Sequence, residues 1–400
     1  MSEVLFLAHR VPFPPDRGDR IRSSHLLRRI AEAATVHFGC LIEDEADKAA
    51  LPAIEALCAS HHCAARPPIG RAGIVALARR QPVSVAAFDA PSLHAWVRDT
   101  INTRPISAIF VFSGQMAPYV PDDFAGRVVM DFVDVDSAKY EAYAAAAGQP
   151  RRWLYAREDR LLRGLEESAA RRADLSLFVS AEERDLFSAR LRSHDGIALA
   201  ALGNGIDAAA FDPSGIASTP ELADGGPHLV FTGQMDYPPN VEAVTLFARQ
   251  VFPRVRALYP NARFAIVGRA PTATVQALGA LPGVLVTGAV PDVRPWLAGA
   301  DLVVAPLAIA RGVQNKVLEA MAMARPVLLT SGAATGIAAR DGEHFAVADG
   351  AHAFGTRALA LLGQAQARRA MGCAARDFVL AHHAWESVLA PLPAMLGLAV

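Results

Sequence analysis

The chain has 400 residues, a formal net charge of −1 and a hydrophobic fraction of 52%. That length predicts two or three domains rather than one core. The near-neutral charge excludes nonspecific nucleic-acid binding, which needs a broadly basic surface. Much of the hydrophobic fraction is alanine, which favours helix and adds little burial. No run of about 18 uninterrupted apolar residues marks a membrane-spanning helix. The opening run Val4–Ala8 follows Glu3 and is too short for a secretory signal, so the chain is expected to stay in the cytoplasm. Cys40, Cys58, Cys63 and Cys373 form no disulfide framework and fit a reducing compartment. The group Cys58, His61, His62, Cys63 lacks a second ligand pair at zinc-like spacing and reads as a helix end followed by a short strand.

In chain order, Val4 to Ala8 predicts a strand. A loop rich in Pro and charge follows, and then a helix with Ile21, Leu26, Leu27 and Ile30 near one face. Val36–Ile42 predicts a strand, Asp47–Ala59 a helix, and Ala108–Phe112 and Val128–Phe132 two buried strands. Lys139–Arg172 predicts helix, interrupted near Gly148-Gln149-Pro150. Leu175–Val179 predicts a strand, and a helix starts at Ser180 with Glu183 at capping-box spacing. From Ala208 to Pro227 no period is visible, which suggests a linker. A second alternating series then runs through strands at 229–232, 262–267, 284–286, 302–305 and 326–330, with helices at 241–258, 293–297 and 312–324 and a helical tail from about Ala351. Two such series predict two doubly wound α/β sheets, with ligands beyond the carboxyl ends of the strands in the cleft between the halves.

The stretch after the strand Leu302–Ala305 carries the clearest chemistry. A short loop leads to Gly312, and the helix expected there turns its N-terminal amides and dipole toward an anion. Gln314, Asn315 and Lys316 fall in its first turns. The only lysines are Lys48, Lys139 and Lys316, so a lysine on this apolar helix stands out. Lys316 can place a positive charge near a pyrophosphate. Glu319, three residues on, shares its face and can accept both hydroxyls of a ribose. An ordinary ion pair on a solvated face is the alternative, but Val317, Leu318, Ala320, Met321 and Ala322 make the helix largely buried.

Here the chain resembles the GT-B glycosyltransferases of the family 4 type. The strand-Pro-loop-helix ending in Glu319-Ala320-Met321-Ala322 and Arg325-Pro326-Val327 is similar to that family's C-terminal signature. Phe231 to Asn240 is similar to the first strand-loop-helix of the donor domain, and Ala265-Ile-Val-Gly-Arg269 to its second strand end. Asn204-Gly-Ile-Asp207 resembles the motif that opens the hinge, Ser180-Ala-Glu-Glu183 the last helix start of the acceptor domain, and Trp385-Glu386 the C-terminal crossover helix. Pro12 to Arg22 and Asp131 to Ser137 resemble the subfamily associated with exosortase and exopolysaccharide gene clusters.

The resemblance implies two Rossmann-like domains facing a central cleft, with an acceptor-side domain at 1–203, a hinge at 204–227, a donor-binding domain at 228–380 and a C-terminal helix at 381–400 that packs back on the first domain. It implies a retaining, hexosyl-type transferase that works without a metal or other cofactor. Such an enzyme moves a sugar from a UDP- or GDP-sugar to a glycan or lipid-linked glycan. Contact with the inner face of the membrane follows if the acceptor is lipid-linked. Gly18, Gly233, Gln234, Arg311, Gly312, Gln314, Asn315 and Glu319 are expected on the donor. Lys316 and Arg269 are expected on the leaving diphosphate. Asp16 and Arg20, with Arg17, Asp19 and Arg22 beside them, are expected on the acceptor side. Asp131, expected to face the cleft from a strand end, can orient the acceptor or take its proton. Asp134-Val-Asp136 has the form of a metal-binding pair, which the resembled fold does not usually use.

Two departures stand out. Arg311 occupies the place of a glutamate that contacts the donor sugar, and Gln234 and Asn240 occupy those of an Arg and a Lys that hold the diphosphate. Rival expectations are a nucleotide-sugar epimerase and a non-catalytic nucleotide-sugar-binding protein.

Overall fold

A computed structural model describes residues 2–308 and 313–398. The chain divides into two compact units. One runs to Asn204 and takes in the segment from Val388 onward, and the other spans Gly205–Ser387.

The first unit holds β1 (Glu3–Ala8), β2 (Thr35–Ile42), β3 (Ser60–Ala65), β4 (Ile106–Phe112), β5 (Arg127–Val133), β6 (Leu175–Phe178) and β7 (Leu199–Ala201). They form one sheet in the order β3-β2-β1-β4-β5-β6-β7, and every neighbouring pair is parallel. Parallel strands need crossovers and are covered on both faces, which is why β1 and β4 read as continuous apolar runs. Phe38, Phe6 and Phe110 pack with tilted rings across the adjacent strands β2, β1 and β4, at centroid distances of 5.6 and 5.1 Å. Between β5 and β6 lies a helical hairpin, Asp136–Ala146 and Arg151–Arg172, broken where Gly148 and Pro150 interrupt the pattern. The terminal segment from Val388 belongs to this unit, with Leu392 and Leu396 buried and Arg127 Nε donating to the Met395 carbonyl at 2.5 Å.

The second unit holds β8 (His228–Thr232), β9 (Arg263–Val267), β10 (Val284–Gly288), β11 (Leu302–Ala305), β12 (Val327–Leu329) and β13 (Ala346–Val347), all parallel, in the order β10-β9-β8-β11-β12-β13. Strand order reverses at β8, which has β9 on one side and β11 on the other. The crevice at the carboxyl ends of β8 and β11 is therefore the place where such a sheet accepts a ligand. The stretch expected as a hinge at 204–227 packs largely on this unit: Ile206 and Leu222 join its core, and Ile206 bridges to Ala384.

Proline explains two differences from the expected helices. The helix expected over 241–258 runs instead as Pro238–Leu246, a wide turn Phe247–Val251 and Phe252–Leu258. Pro253 has no N–H to continue the ladder into the preceding turn. The helix expected over 47–59 is two short pieces, Glu45–Ala49 and Leu51–Glu55, because Pro52 likewise cannot donate back. The helix Pro91–Thr103, opened by a proline in its first turn and burying Leu93, Val97 and Thr100, has no counterpart in the sequence expectations.

Candidate functional site

Two glycines shape the second unit's crevice. β8 ends at Gly233 and β9 at Gly268, with φ of +156° and +153°. A Cβ added to Gly268 would lie 1.6 Å from the Gly233 carbonyl oxygen. The chain beyond β8 is stitched to the end of β9 through Gly233 N–H to Val267 O at 3.0 Å and Met235 N–H to Arg269 O at 2.8 Å. The turn after β8 therefore lies flat against its neighbour, leaving open backbone at the strand ends.

The helix after β11 spans Asn315–Ala322. It starts three residues later than the expected start at Gly312: Gln314 is its N-cap, with extended backbone at φ −86° and ψ 100°. The helix forms where burial rewards it, because Val317, Leu318, Met321 and Ala322 enter the core while Val313 is exposed. The Val317 N–H donates to the N-cap carbonyl of Gln314 at 2.9 Å, and the amides ahead of it, at Asn315 and Lys316, precede the helix's internal ladder. Its C-terminal end closes through Ala324, at φ +53°, with Arg325 N–H donating to Ala320 O at 3.0 Å.

Lys316 and Glu319 share the half-buried face of this helix. Lys316 Nζ donates to Asn240 Oδ1 at 2.5 Å and sits 4.5 Å from the Phe231 ring centroid. A Cβ on Gly233 would lie 3.1 Å from that Nζ, so the ammonium covers the end of β8. Burial pushes the Lys316 ammonium down to about 8, against the pull of Glu319. Burial raises the Glu319 carboxyl, against the pull of Lys316. Asn240 Nδ2 donates in turn to the Gln234 carbonyl at 2.8 Å, which locks the amide and aims its oxygen at Lys316. Arg269 Nη2 donates to Gln234 Oε1 at 3.0 Å on the exposed rim.

Together Gly233, Gln234, Gly268, Arg269, Asn315, Lys316 and Glu319 line one cavity of roughly 710 Å³, with Ala289, Val290, Val293 and Val313 as its apolar wall. That is the size and mixture of a small-molecule site. Arg311 and Gly312 lie outside the described residues. Asn240, noted in the sequence only as a replaced lysine, is the direct partner of Lys316. Its signal was a lone amide in the first turn of the helix that follows Gly233.

The first unit corrects three expectations. Asp131 does not face a cleft: it is fully buried, accepts Arg22 Nε at 2.9 Å and accepts the Val133 N–H at 3.0 Å. Burial raises its pKa, against the Arg22 charge. Arg22 is turned inward too, and its Nη1 donates to Gly203 O at 2.9 Å and Asn204 Oδ1 at 3.0 Å. Arg20 is buried against Asp47, with Nη2 to Oδ1 at 2.6 Å, so it anchors a helix and lines no acceptor surface. A desolvated charge at each of these positions needs its partner inside, and that requirement overrides the loop location. Asp16 is exposed, with Arg20 Nη1 3.7 Å away. Gly18 opens the helix Gly18–Ala33, and a Cβ there would touch nothing within 4 Å. Asp19 is held well below the usual carboxylate range by a hydrogen bond from His9, with Arg10 also contributing. Asp134 and Asp136 both take Lys139 Nζ, at 2.9 and 3.1 Å.

Residues 226–364 match a family model described as glycosyl transferases group 1, a match that lies within the second unit and spans the described cavity. No curated protein matches the chain by sequence. Solved structures similar to it over nearly the full length include sucrose-phosphate synthase from Thermosynechococcus elongatus, at 14% identity, TM-score 0.60 and coverage of 99% of this chain and 98% of that one. HepE of Anabaena in complex with UDP is similar at 13% identity and TM-score 0.64, with 99% and 100% covered. WaaG, a glycosyltransferase involved in lipopolysaccharide biosynthesis, is similar at 17% identity and TM-score 0.57, with 98% and 100% covered. At these identities the likeness is one of fold, and the fold is GT-B.

Proposed function

We propose that this chain is a retaining, hexosyl-type glycosyltransferase that takes a sugar from a nucleoside-diphosphate donor and places it on a hydroxyl of a glycan or lipid-linked glycan, in exopolysaccharide biosynthesis. The observation that carries this reading is the convergence of Lys316, Glu319, Gly233 and Gly268 on one cavity at the strand-order reversal of the second unit. Its support from comparison is the match of residues 226–364 to glycosyl transferases group 1, together with HepE, whose solved forms hold UDP and UDP-glucose.

In this reading the diphosphate rests on the glycine backbone at the ends of β8 and β9. Lys316, Arg269 and the first-turn amides of Asn315 and Lys316 take up the charge that grows as the anomeric C–O bond breaks. Glu319 accepts the ribose hydroxyls, and the wall of Ala289, Val290 and Val293 gives the planar base an apolar surface. The acceptor oxygen attacks from the face the diphosphate leaves, and its proton passes to the departing phosphate oxygen. Configuration is retained without a protein nucleophile. Asp131 has no part in this, because its carboxylate is enclosed with Arg22.

The test is release of UDP or GDP from a panel of nucleotide sugars, with and without glycan acceptors. Turnover that Lys316→Met lowers by about a hundredfold or more supports the leaving-group role. Full turnover in that variant refutes it. A non-catalytic binder is the rival, because Gln234 and Asn240 are neutral where the resembled family has Arg and Lys. A binder raises its melting temperature with the nucleotide yet releases none from any donor.

A further inference from the structure

The helical hairpin of the first unit ends in an exposed tip that the transfer chemistry does not use. Tyr143 is 54% exposed, Trp153 61% and Leu154 43%. Single exposed apolar residues are ordinary, but three large ones on one turn-flanking segment are not. From Ala142 to Arg157 the sequence contains Arg151, Arg152 and Arg157 and no acidic residue. Arg157 is tied inward, donating to the carbonyls of Ala76 at 3.1 Å and Gln81 at 3.3 Å, whereas Arg151 and Arg152 are exposed. The nearest acids on either side are occupied. Glu141 accepts Arg190 Nη1 at 2.5 Å, and Glu158 is buried under the backbone N–H groups of Val83 and Ser84. The tip is therefore positive as well as apolar. The rings of Tyr140, Tyr143 and Tyr155, with centroids 5.8 to 6.1 Å apart, join the two helices just behind the turn and fix what it presents.

We propose that this tip is a docking element for an anionic lipid bilayer, with Trp153, Leu154 and Tyr143 entering the headgroup boundary and Arg151 and Arg152 meeting lipid phosphates. Indole and phenol rings settle at the membrane–water boundary because one end is apolar and the other wet. Arginines beside them add attraction to a negative surface. A stable protein partner would need roughly 800 Å² of matched surface on each side. A turn joining two helix ends offers little area for such a match, whereas a bilayer deforms to receive it. The proposal rests on the first unit alone and stands whatever the second unit binds.

The test is co-sedimentation of the full chain with vesicles of phosphatidylcholine, with and without phosphatidylglycerol, at low and high salt. Binding to the phosphatidylglycerol vesicles is expected, weakened by salt. The double change Arg151→Glu with Arg152→Glu, and separately Trp153→Ser, each lower it about tenfold or more. Both changes fall on exposed positions, so melting temperatures are expected to match the parent. Light scattering is run on the same samples. No binding by the parent chain overturns the proposal, as does equal binding by both variants. A parent dimer that the tip variants dissolve would make the tip a protein contact and overturn it too.

Discussion

Gly268 packs its α-carbon against the carbonyl of Gly233, so closely that a Cβ would sit 1.6 Å from that oxygen. The contact holds the ends of β8 and β9 together and leaves their backbone open to a ligand. Gly268→Ala meets backbone, which cannot swing aside, at a φ of +153°. The expected loss is more than about 3 kcal/mol of unfolding free energy, read from urea midpoints. Gly233→Ala meets instead the side-chain ends of Asn240 at 2.9 Å and Lys316 at 3.1 Å. These can shift, so its stability loss is expected to be smaller, with the Lys316 position disturbed.

Lys316 gives ligand binding a pH dependence. With its pKa at about 8 in the free protein, part of the population has a neutral amine at mildly alkaline pH. A bound diphosphate favours the ammonium, so binding takes up a proton above that pKa. Affinity for a nucleoside diphosphate is expected to fall about tenfold per pH unit as pH rises through and beyond about 8. Calorimetry in buffers of different ionisation enthalpy reads the proton directly. The same depressed pKa implies stability that is present above the ordinary lysine pKa and lost as pH falls through about 8. Lys316→Met is accordingly expected to raise the melting point of the ligand-free protein at neutral pH, by an amount worth about 1 kcal/mol.

Asp131 and Arg22 make a buried pair whose members do not tolerate separation. Asp131→Ala leaves a guanidinium that is 1% exposed without its carboxylate. The expected loss is about 3 to 5 kcal/mol, seen as a lowered denaturation midpoint. Activity per folded molecule is expected to change little, which distinguishes a structural aspartate from a catalytic one.

Glu166 gives the first unit a pH dependence of opposite sign. Its carboxyl is buried, accepts the Ser137 N–H at 2.9 Å and is pushed up to about 7 by burial. A raised pKa contributes stability that is complete below the unfolded value of about 4.3 and is lost as pH rises through about 7. Glu166→Gln keeps the accepting oxygen and removes the ionisation. Its stability is expected to exceed the parent's by about 2 kcal/mol near pH 8 and to match it more closely near pH 5, by urea denaturation at each pH.

The sheets were legible because a buried parallel strand must be apolar on both faces, and β1, β4, β8 and β11 are written that way. Lys316 was legible because a lone lysine on a buried helix in an arginine-rich chain has few structural reasons to be there. Asp131 was not. A carboxylate at a strand end reads the same whether it faces solvent or an arginine, and its partner Arg22 lies 109 residues away. Arg20 misled for the same reason, since Asp47 meets it from another helix. The start of the Lys316 helix was misplaced because a glycine before polar residues looks like a helix entry. The first core-facing residue of that helix is Val317.

The most direct test of the donor site is a thermal-shift titration with UDP, GDP and ADP on the parent chain, on Lys316→Met and on Glu319→Ala. One of these nucleotides is expected to raise the parent melting temperature progressively with concentration. Glu319→Ala and Lys316→Met are each expected to lose most of that rise. A nucleotide-dependent rise of equal size in all three proteins, or none from any nucleotide in the parent, would contradict the site.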